Sequence, residues 1–485
     1  MRNRFLLAAL CAGTLTACSD TPLKLTNPNS ATISGASADP NALQLTATGL
    51  LSDFRAPRTG QIWNLGRLGR EAYDFTPQEG RNTTAYLIGI TVGTKQEIDP
   101  ANGFIAATWN YSALRDIYNF KNSINANATL TATQKSAALG FAKTLEAAQL
   151  LGIIITTDSL GLITQILDDP TTPAPFVTRD SAYKYILAAF DSAKTALAAG
   201  GNAFPFTLHS GFTGFDTPAT FLQFTNAMEA RAAADYATAG GGAAAWAKAQ
   251  TALAASFLNM GAANAAAMQA GVYHVYSSST GDVLSGLDPV TNTTLYAHMS
   301  YLTDAQLKAD GTADNRLLTK IFTGLPSRQG PVTAAGPTSG SSTIGFKVYP
   351  TSATPIPVIR NEELILLNAE VKLGTGDLAG AIAALNITRT VSGGLPPSTL
   401  TAASAPSAIL DQILYEKRYS LMLEGLRWVD MRRYGRLNQL PLDVPSGPNK
   451  NFVAIVAPIP QAECLVRAKL TGVYLGPGGL NDCAP

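Results

Sequence analysis

The stretch "RNEELILLNAEVKLGTGDLAGAIAALNITRT", residues 360–390, decides how the rest of the chain is read. It predicts a helix from about Arg360, a turn at Gly374-Thr375-Gly376, and a second helix capped by Asp377. Glycines end helices because they lack a Cβ, and a short acidic side chain accepts hydrogen bonds from the free N–H groups of the next helix. Ala369, Ala381 and Ala384 are small enough for the two helices to pack closely. This is a tetratricopeptide-type hairpin, although the chain shows no strict period of about 34 residues. The same turn fits a loose dinucleotide pattern at Gly374, Gly376 and Ala379. A helix rather than a strand precedes it, and no acidic residue follows about 20 positions on, so it reads as a helix–helix turn.

Upstream the same grammar repeats. "FVTRDSAYKYILAAFDSAKTALAAGG" offers Thr178 or Asp180 as N-cap, then Tyr183, Ile186, Leu187, Phe190 and Leu197 at helical spacing, and Gly200-Gly201 as a stop. "TPATFLQFTNAMEARAAADYATAGGG" sets Thr217 at the cap with Pro218 in the first turn, and "AAAWAKAQTALAASFL" returns from it. "LLGIIITT", from Leu150, is flanked by Glu146 and Asp158 and reads as buried core. Trp109, Tyr111, Trp246 and Trp428 read as helix-face core residues. The fold class is therefore mainly all-α, a superhelix of hairpins. Long segments rich in Gly, Ser and Pro interrupt it, among them "TGLPSRQGPVTAAGPTSGSSTIGF" (323–346) and "SGGLPPSTLTAASAPS". Residues 268–301 are less helical and carry several tyrosines. On a helical scaffold such loops are the natural place for binding.

Downstream, "EKRYSLMLEGLRWVDMRRYG" (416–435) concentrates charge in a chain that is only 14% charged. A helix from near Ile409 places Leu414, Leu421, Met422, Gly425, Trp428 and Val429 on one apolar face. Glu416, Arg418, Glu424, Arg427, Asp430, Arg432 and Arg433 flank that face. Arg360, Glu362, Glu363 and Glu370 on the preceding hairpin are their expected partners, since arginine forks suit carboxylates in partly buried sites. A catalytic acid or base calls for an isolated, perturbed group, and a phosphate site for net positive charge at a helix start. Mixed pairs fit neither, so Arg360, Glu363, Glu370, Glu416, Arg418, Glu424, Arg427 and Asp430 are expected to be structural ion pairs.

Composition excludes one class outright. With 35 Lys and Arg against 34 Asp and Glu, net +1, no basic excess exists to displace counterions from a nucleic acid. The N-terminus, "MRNRFLLAALCAGTLTAC", has two arginines, an apolar run and small residues, the layout of a secretory signal too short to span a bilayer. Leu15-Thr16-Ala17-Cys18 resembles a bacterial lipobox, in which Cys18 would be acylated; the plainer reading is an ordinary secretory signal. Residues 1–17 are thus expected to be removed, 18–35 to form a lipidated tether, and 36–485 to fold as one helical domain. Of 4 cysteines, Cys11 falls in the signal, leaving Cys464 and Cys483 as a disulfide closing the C-terminal tail or as two buried thiols. No CxxC or HExxH spacing suggests a metal site, and no cofactor motif stands out.

Three blocks then resemble the SusD/RagB family: "PIPVIRNEELILLNAEVKLGTGDLAGAIAALNITRT", "ILYEKRYSLMLEGLRWVDMRRYG" and "PIPQAE", together spanning about 355–465. Fainter likeness runs upstream through "TWNYSALRDIYNF" and "FLQFTNAMEARAAADY". The resemblance implies a surface lipoprotein of the Gram-negative outer membrane. It implies a superhelix of tetratricopeptide-like hairpins with a loop-rich excursion that carries the ligand site. It also implies a SusC-like, TonB-dependent barrel as partner, an oligosaccharide or peptide as ligand, and no catalysis.

Sugar sites are built from aromatic faces and hydroxyl-bonding side chains. Trp63, Tyr73, Asp74, Arg81, Asn82, Tyr296 and Tyr301 are the residues of that kind in the expected loops. Two other functional classes compete. One is a lipidated glycan hydrolase using two carboxylates such as Glu71 and Asp74; the other is a ligand-free helical scaffold of the envelope.

Overall fold

Local capping chemistry sets the helices, and packing of small residues joins them. The computed structural model describes residues 40–103, 108–169, 172–289 and 292–471. The expected signal, the tether, Cys18 and Cys483 lie outside these residues. Helices α1 (Pro40–Arg55) and α2 (Arg58–Leu68) lead into strand β1 (Ala72–Asp74) and α3 (Arg81–Leu87). Then come α4 (Tyr111–Ala126), α5 (Ala132–Thr157), α6 (Arg179–Ala198), α7 (Pro218–Tyr236) and α8 (Gly242–Ala254), each packed against the next. Thr131 begins α5 with a capping box, Thr178 caps α6, and Thr217 caps α7 with Pro218 in its first turn. Helix α5 is long and apolar enough to cross a bilayer, yet most of it is buried among its neighbours. Phe141, Phe190, Phe212, Phe221 and Phe224 fill the core that these helices share with α1.

An excursion of short strands follows: β2 (Gly271–His274), β3 (Leu295–Ala297), β4 (Ile321–Gln329), β5 (Ser341–Phe346) and β6 (Ile356–Arg360). They form antiparallel pairs rather than one sheet: β1 with β3, β4 with β5, β2 with β6. The stretch 323–346, expected to be an irregular loop, is largely the β4–β5 hairpin. Two of these pairs join segments far apart in sequence and so fix the excursion to the helical body.

The chain then returns to helix: α9 (Asn361–Gly374), α10 (Leu378–Val391), α11 (Pro406–Ser420) and α12 (Arg427–Arg433). The Asp377 carboxylate accepts from the Gly380 N–H at 2.8 Å, and Ala369, Ala381 and Ala384 pack between α9 and α10 with Ile409 and Ile413 of α11. Gly374 lies flat against the Trp246 ring, where any Cβ would collide; this contact lets α8 meet α9 and joins the two sets of hairpins.

The single helix expected from Ile409 onward is two helices. Residues 421–426 form a turn in which Leu423 (φ 56°) and Gly425 (φ 75°) are left-handed. The glycine adopts this at no steric cost. Leu423 is held there by its burial and by its N–H, which donates to Glu71 Oε1 at 3.1 Å.

Candidate functional site

The charged stretch of 360–433 folds into a buried ionic seam. Glu416 is fully buried and faces Arg316 at 2.6 Å and Arg389 at 3.0 Å. Glu363 takes a bidentate pair from Arg231, with both contacts at 2.6 Å. Arg360 reaches Glu424 at 2.6 Å and also Glu362; Lys417 bridges Glu370 (2.6 Å) and Asp430 (2.8 Å); Arg433 joins the same two carboxylates. Arg418 pairs with Asp304 at 2.7 Å. Burial works against the charge on Glu362 and Glu370. Arg360 for the first, and Arg433 with Lys417 for the second, outweigh it and bring both carboxyls down to about 2. Arg427 departs from the expectation: among the described residues no carboxylate lies within ion-pair distance of it. The turn at 421–426 sends it to the C-terminal end of α2, where it donates to the Gly69 carbonyl at 3.0 Å.

Beside the seam lies a narrow cavity of about 70 Å³, lined in part by Arg58, Asp235, Lys417, Asp430 and Arg433. Burial pushes Asp235 up to about 6, with Arg433 opposing. A perturbed acid in a cavity is a signature of function. This space, however, is far below the roughly 300–1,000 Å³ of ligand sites and suits a few water molecules.

The larger space is a cleft of about 460 Å³ in the excursion. One wall is Phe75, Thr76, Pro77 and Thr83, from the turn after β1 and the first residues of α3. The other is Arg328, Gln329, Gly330 and Pro331, at the end of β4. A Cβ on Gly330 would lie 2.6 Å from Thr83 and 2.8 Å from Thr338, so only glycine lets these walls meet at the cleft's base. Asp74 shapes the first wall: its Oδ1 accepts from the Thr76 N–H (3.0 Å) and hydroxyl (2.6 Å), and its carbonyl accepts from the Thr83 hydroxyl.

The residues expected to touch ligand mostly stand behind this cleft. Trp63 is not in a loop but in α2, where it is buried against Phe346 and its Nε1 donates to Asp74 Oδ2 at 3.4 Å. Tyr73 and Tyr296 are cross-strand partners of β1 and β3, both buried, with hydroxyls bonded to Asp443 and the Pro326 carbonyl. Tyr301 is fully buried and donates to Glu71 at 2.9 Å. A ring with no exposed face cannot stack on a sugar, so none of these four aromatics offers a stacking platform. Arg81 is exposed but held by Glu79, and Asn82 accepts from Arg67. Residues 328–331 of the lining fall within 323–346, one of the stretches expected to bind, and those at 75–83 lie beside the candidates Asp74, Arg81 and Asn82. Which of them face the cleft depends on the fold, and no local pattern marks them.

Two arrangements resemble catalysis. Glu71 and Asp74 do not share a cleft: Glu71 lies in the core, held by Tyr301 and the Leu423 N–H, and burial pushes its carboxyl up to about 7. His298 lies between Asp443 (3.2 Å) and Ser300 (2.8 Å), an order suggestive of a hydrolase triad. Here, however, the Ser300 oxygen accepts from Arg418 at 2.6 Å, and both His298 and Ser300 are buried while Asp443 is half-buried. The contact ties the end of β3 to residue 443. Among the described residues no group of three or more His, Cys, Asp or Glu is placed to hold a metal. Cys464 is disulfide-bonded.

Comparison with known proteins points the same way as the hairpins. The model of the SusD family matches residues 225–471, just over half of the chain, from α7 to the last described helix. A SusD-like carbohydrate binding protein from Bacteroides fragilis NCTC 9343 is 16% identical with a TM-score of 0.64, over 89% of this chain and 99% of that one. A second SusD-like protein from the same strain is 15% identical (TM-score 0.63; 90% and 96%). A SusD superfamily protein from Bacteroides vulgatus ATCC 8482 is 13% identical (0.61; 89% and 97%). At these identities the likeness is one of fold. No curated protein matches the sequence.

Proposed function

The chain belongs to the SusD family, and from that premise we propose that it is an outer-membrane lipoprotein that captures a glycan, or a peptide, and hands it to a SusC-like, TonB-dependent barrel. In this reading Cys18 carries the acyl anchor, residues 18–35 form the tether and the folded body faces the cell exterior. The similarity to a solved carbohydrate-binding protein supports a glycan as the ligand class.

The observation that carries the proposal is the contrast in available space. Among the described residues the charge-dense seam borders a cavity of only about 70 Å³, while the cleft at 75–83 and 328–331 offers about 460 Å³ and is lined by no acid–base pair. A cleft without a general acid or base suits capture and release rather than bond cleavage.

The test is calorimetric titration with a glycan panel, using Gln329→Trp to fill the cleft. Gln329 is exposed and makes no side-chain hydrogen bond among the described residues, so folding is unaffected. Affinity is expected to fall about tenfold or more, with an unchanged melting temperature. Unaltered affinity would move the site elsewhere, and release of shortened products would make the protein a hydrolase.

A further inference from the structure

We infer that this cleft takes an acidic saccharide, one bearing carboxylate or sulfate groups, and that Arg328 is the residue that meets its charge. The inference rests on the proposed binding function and narrows its ligand class. Its basis is a difference among arginines. Every other arginine among the described residues donates to a carboxylate, an amide or a carbonyl oxygen. Even those without a carboxylate do so: Arg70 to Pro441 and Phe452, Arg115 to Leu167, Arg427 to Gly69. Among the described residues the Arg328 guanidinium has no hydrogen-bond, ion-pair or ring partner, and it lines the cleft of about 460 Å³. In a chain with so few charges, a half-buried cation left unmatched at a concave site is available to a ligand.

The rest of the lining agrees. The Thr76 and Thr83 hydroxyls already donate to Asp74, and the Gly330 N–H donates to Ser339 at 2.8 Å. No carboxylate lines the walls, and the lining aromatic, Phe75, is buried against Tyr73 and Tyr296. What remains free is the guanidinium of Arg328 and the amide of Gln329. A planar fork of N–H donors matches carboxylate or sulfate oxygens in pairs. With no ring face for stacking, charge and hydrogen bonding must supply most of the affinity.

The test uses matched ligands: oligogalacturonate, the same oligosaccharide after carboxyl reduction, and a sulfated oligosaccharide, titrated into wild type and Arg328→Gln. Expected is tighter binding of one or both acidic forms than of the reduced form. That preference should be lost in Arg328→Gln through about a 10- to 100-fold weakening for the acidic ligand alone, the range for a charge-assisted bond. The uronate and sulfate arms identify which anion is preferred. Equal affinity for acidic and reduced forms, or an acidic affinity unmoved by the substitution, overturns the inference but leaves glycan capture standing. No binding of any glycan overturns both.

Discussion

The seam and the cleft use the same side chain in opposite ways. In the seam Arg316, Arg360 and Arg433 are each enclosed by two or more carboxylates, and their side chains are almost wholly buried. In the cleft Arg328 is half-buried and unmatched. A matched cation is part of the fold, because removing either member strands a buried charge. An unmatched one at a concave surface adds nothing to the fold and remains open to a ligand. Charge density alone therefore misleads: in the most highly charged stretch of this protein the charges are buried, paired with one another and bordered by a cavity of only about 70 Å³.

The largest effect is expected at Glu416. Replacing it with Ala leaves Arg316 and Arg389 buried without their shared carboxylate. The expected loss is about 3–5 kcal/mol of stability, read from denaturant midpoints. A loss under about 1 kcal/mol would mean that the seam is not structural.

Acid should attack the same region. Glu362 and Glu370 titrate at about 2 in the folded protein, against 4.5 unfolded. Because the folded value is depressed, each contributes fully above about pH 4.5 and loses its contribution as pH falls toward 2. The expected loss reaches about 3 kcal/mol for each in urea melts between pH 5 and pH 2. Glu71 runs the other way. Burial raises it to about 7 in the fold, and its Oε2 has no hydrogen-bond partner. Its contribution is therefore greatest below pH 4.5 and declines as pH rises toward 7. Wild type should lose about 2 kcal/mol more than Glu71→Gln between pH 5 and pH 8. Parallel curves for the two would show that Glu71 is charged throughout.

The smallest effect is the sharpest contrast. Arg328→Gln should change stability by less than about 0.5 kcal/mol, as for a surface position with no partner. A loss comparable to that of Glu416→Ala would place Arg328 in the scaffold.

Much of the fold was legible because its signals are local. Thr178, Thr217 and Asp377 cap the helices that follow them, and the Gly374–Gly376 turn separates α9 from α10, since capping needs only neighbours in sequence. The break between α11 and α12 was missed. Gly425 hinted at it, but Leu423 takes a left-handed conformation that only its tertiary surroundings explain. Of the candidate cleft, only the 323–346 side was legible as a loop, and none of its lining residues was. Tyr73 faces Tyr296 across a strand pair joining positions more than two hundred residues apart. That pairing turns these tyrosines, with Trp63, from apparent ligand platforms into core. It also sets Thr76 and Thr83 opposite Arg328, a residue with no distinguishing neighbours of its own in "LPSRQGP".

The most direct measurement is a crystal structure of the protein with a glycan it binds. Ligand density is expected between residues 75–83 and 328–331, with Arg328 in contact and the pairs of Glu416 and Glu370 unchanged. Ligand among Asp235, Lys417 and Arg433, with those pairs opened to admit it, would make the seam the binding site and the cleft incidental.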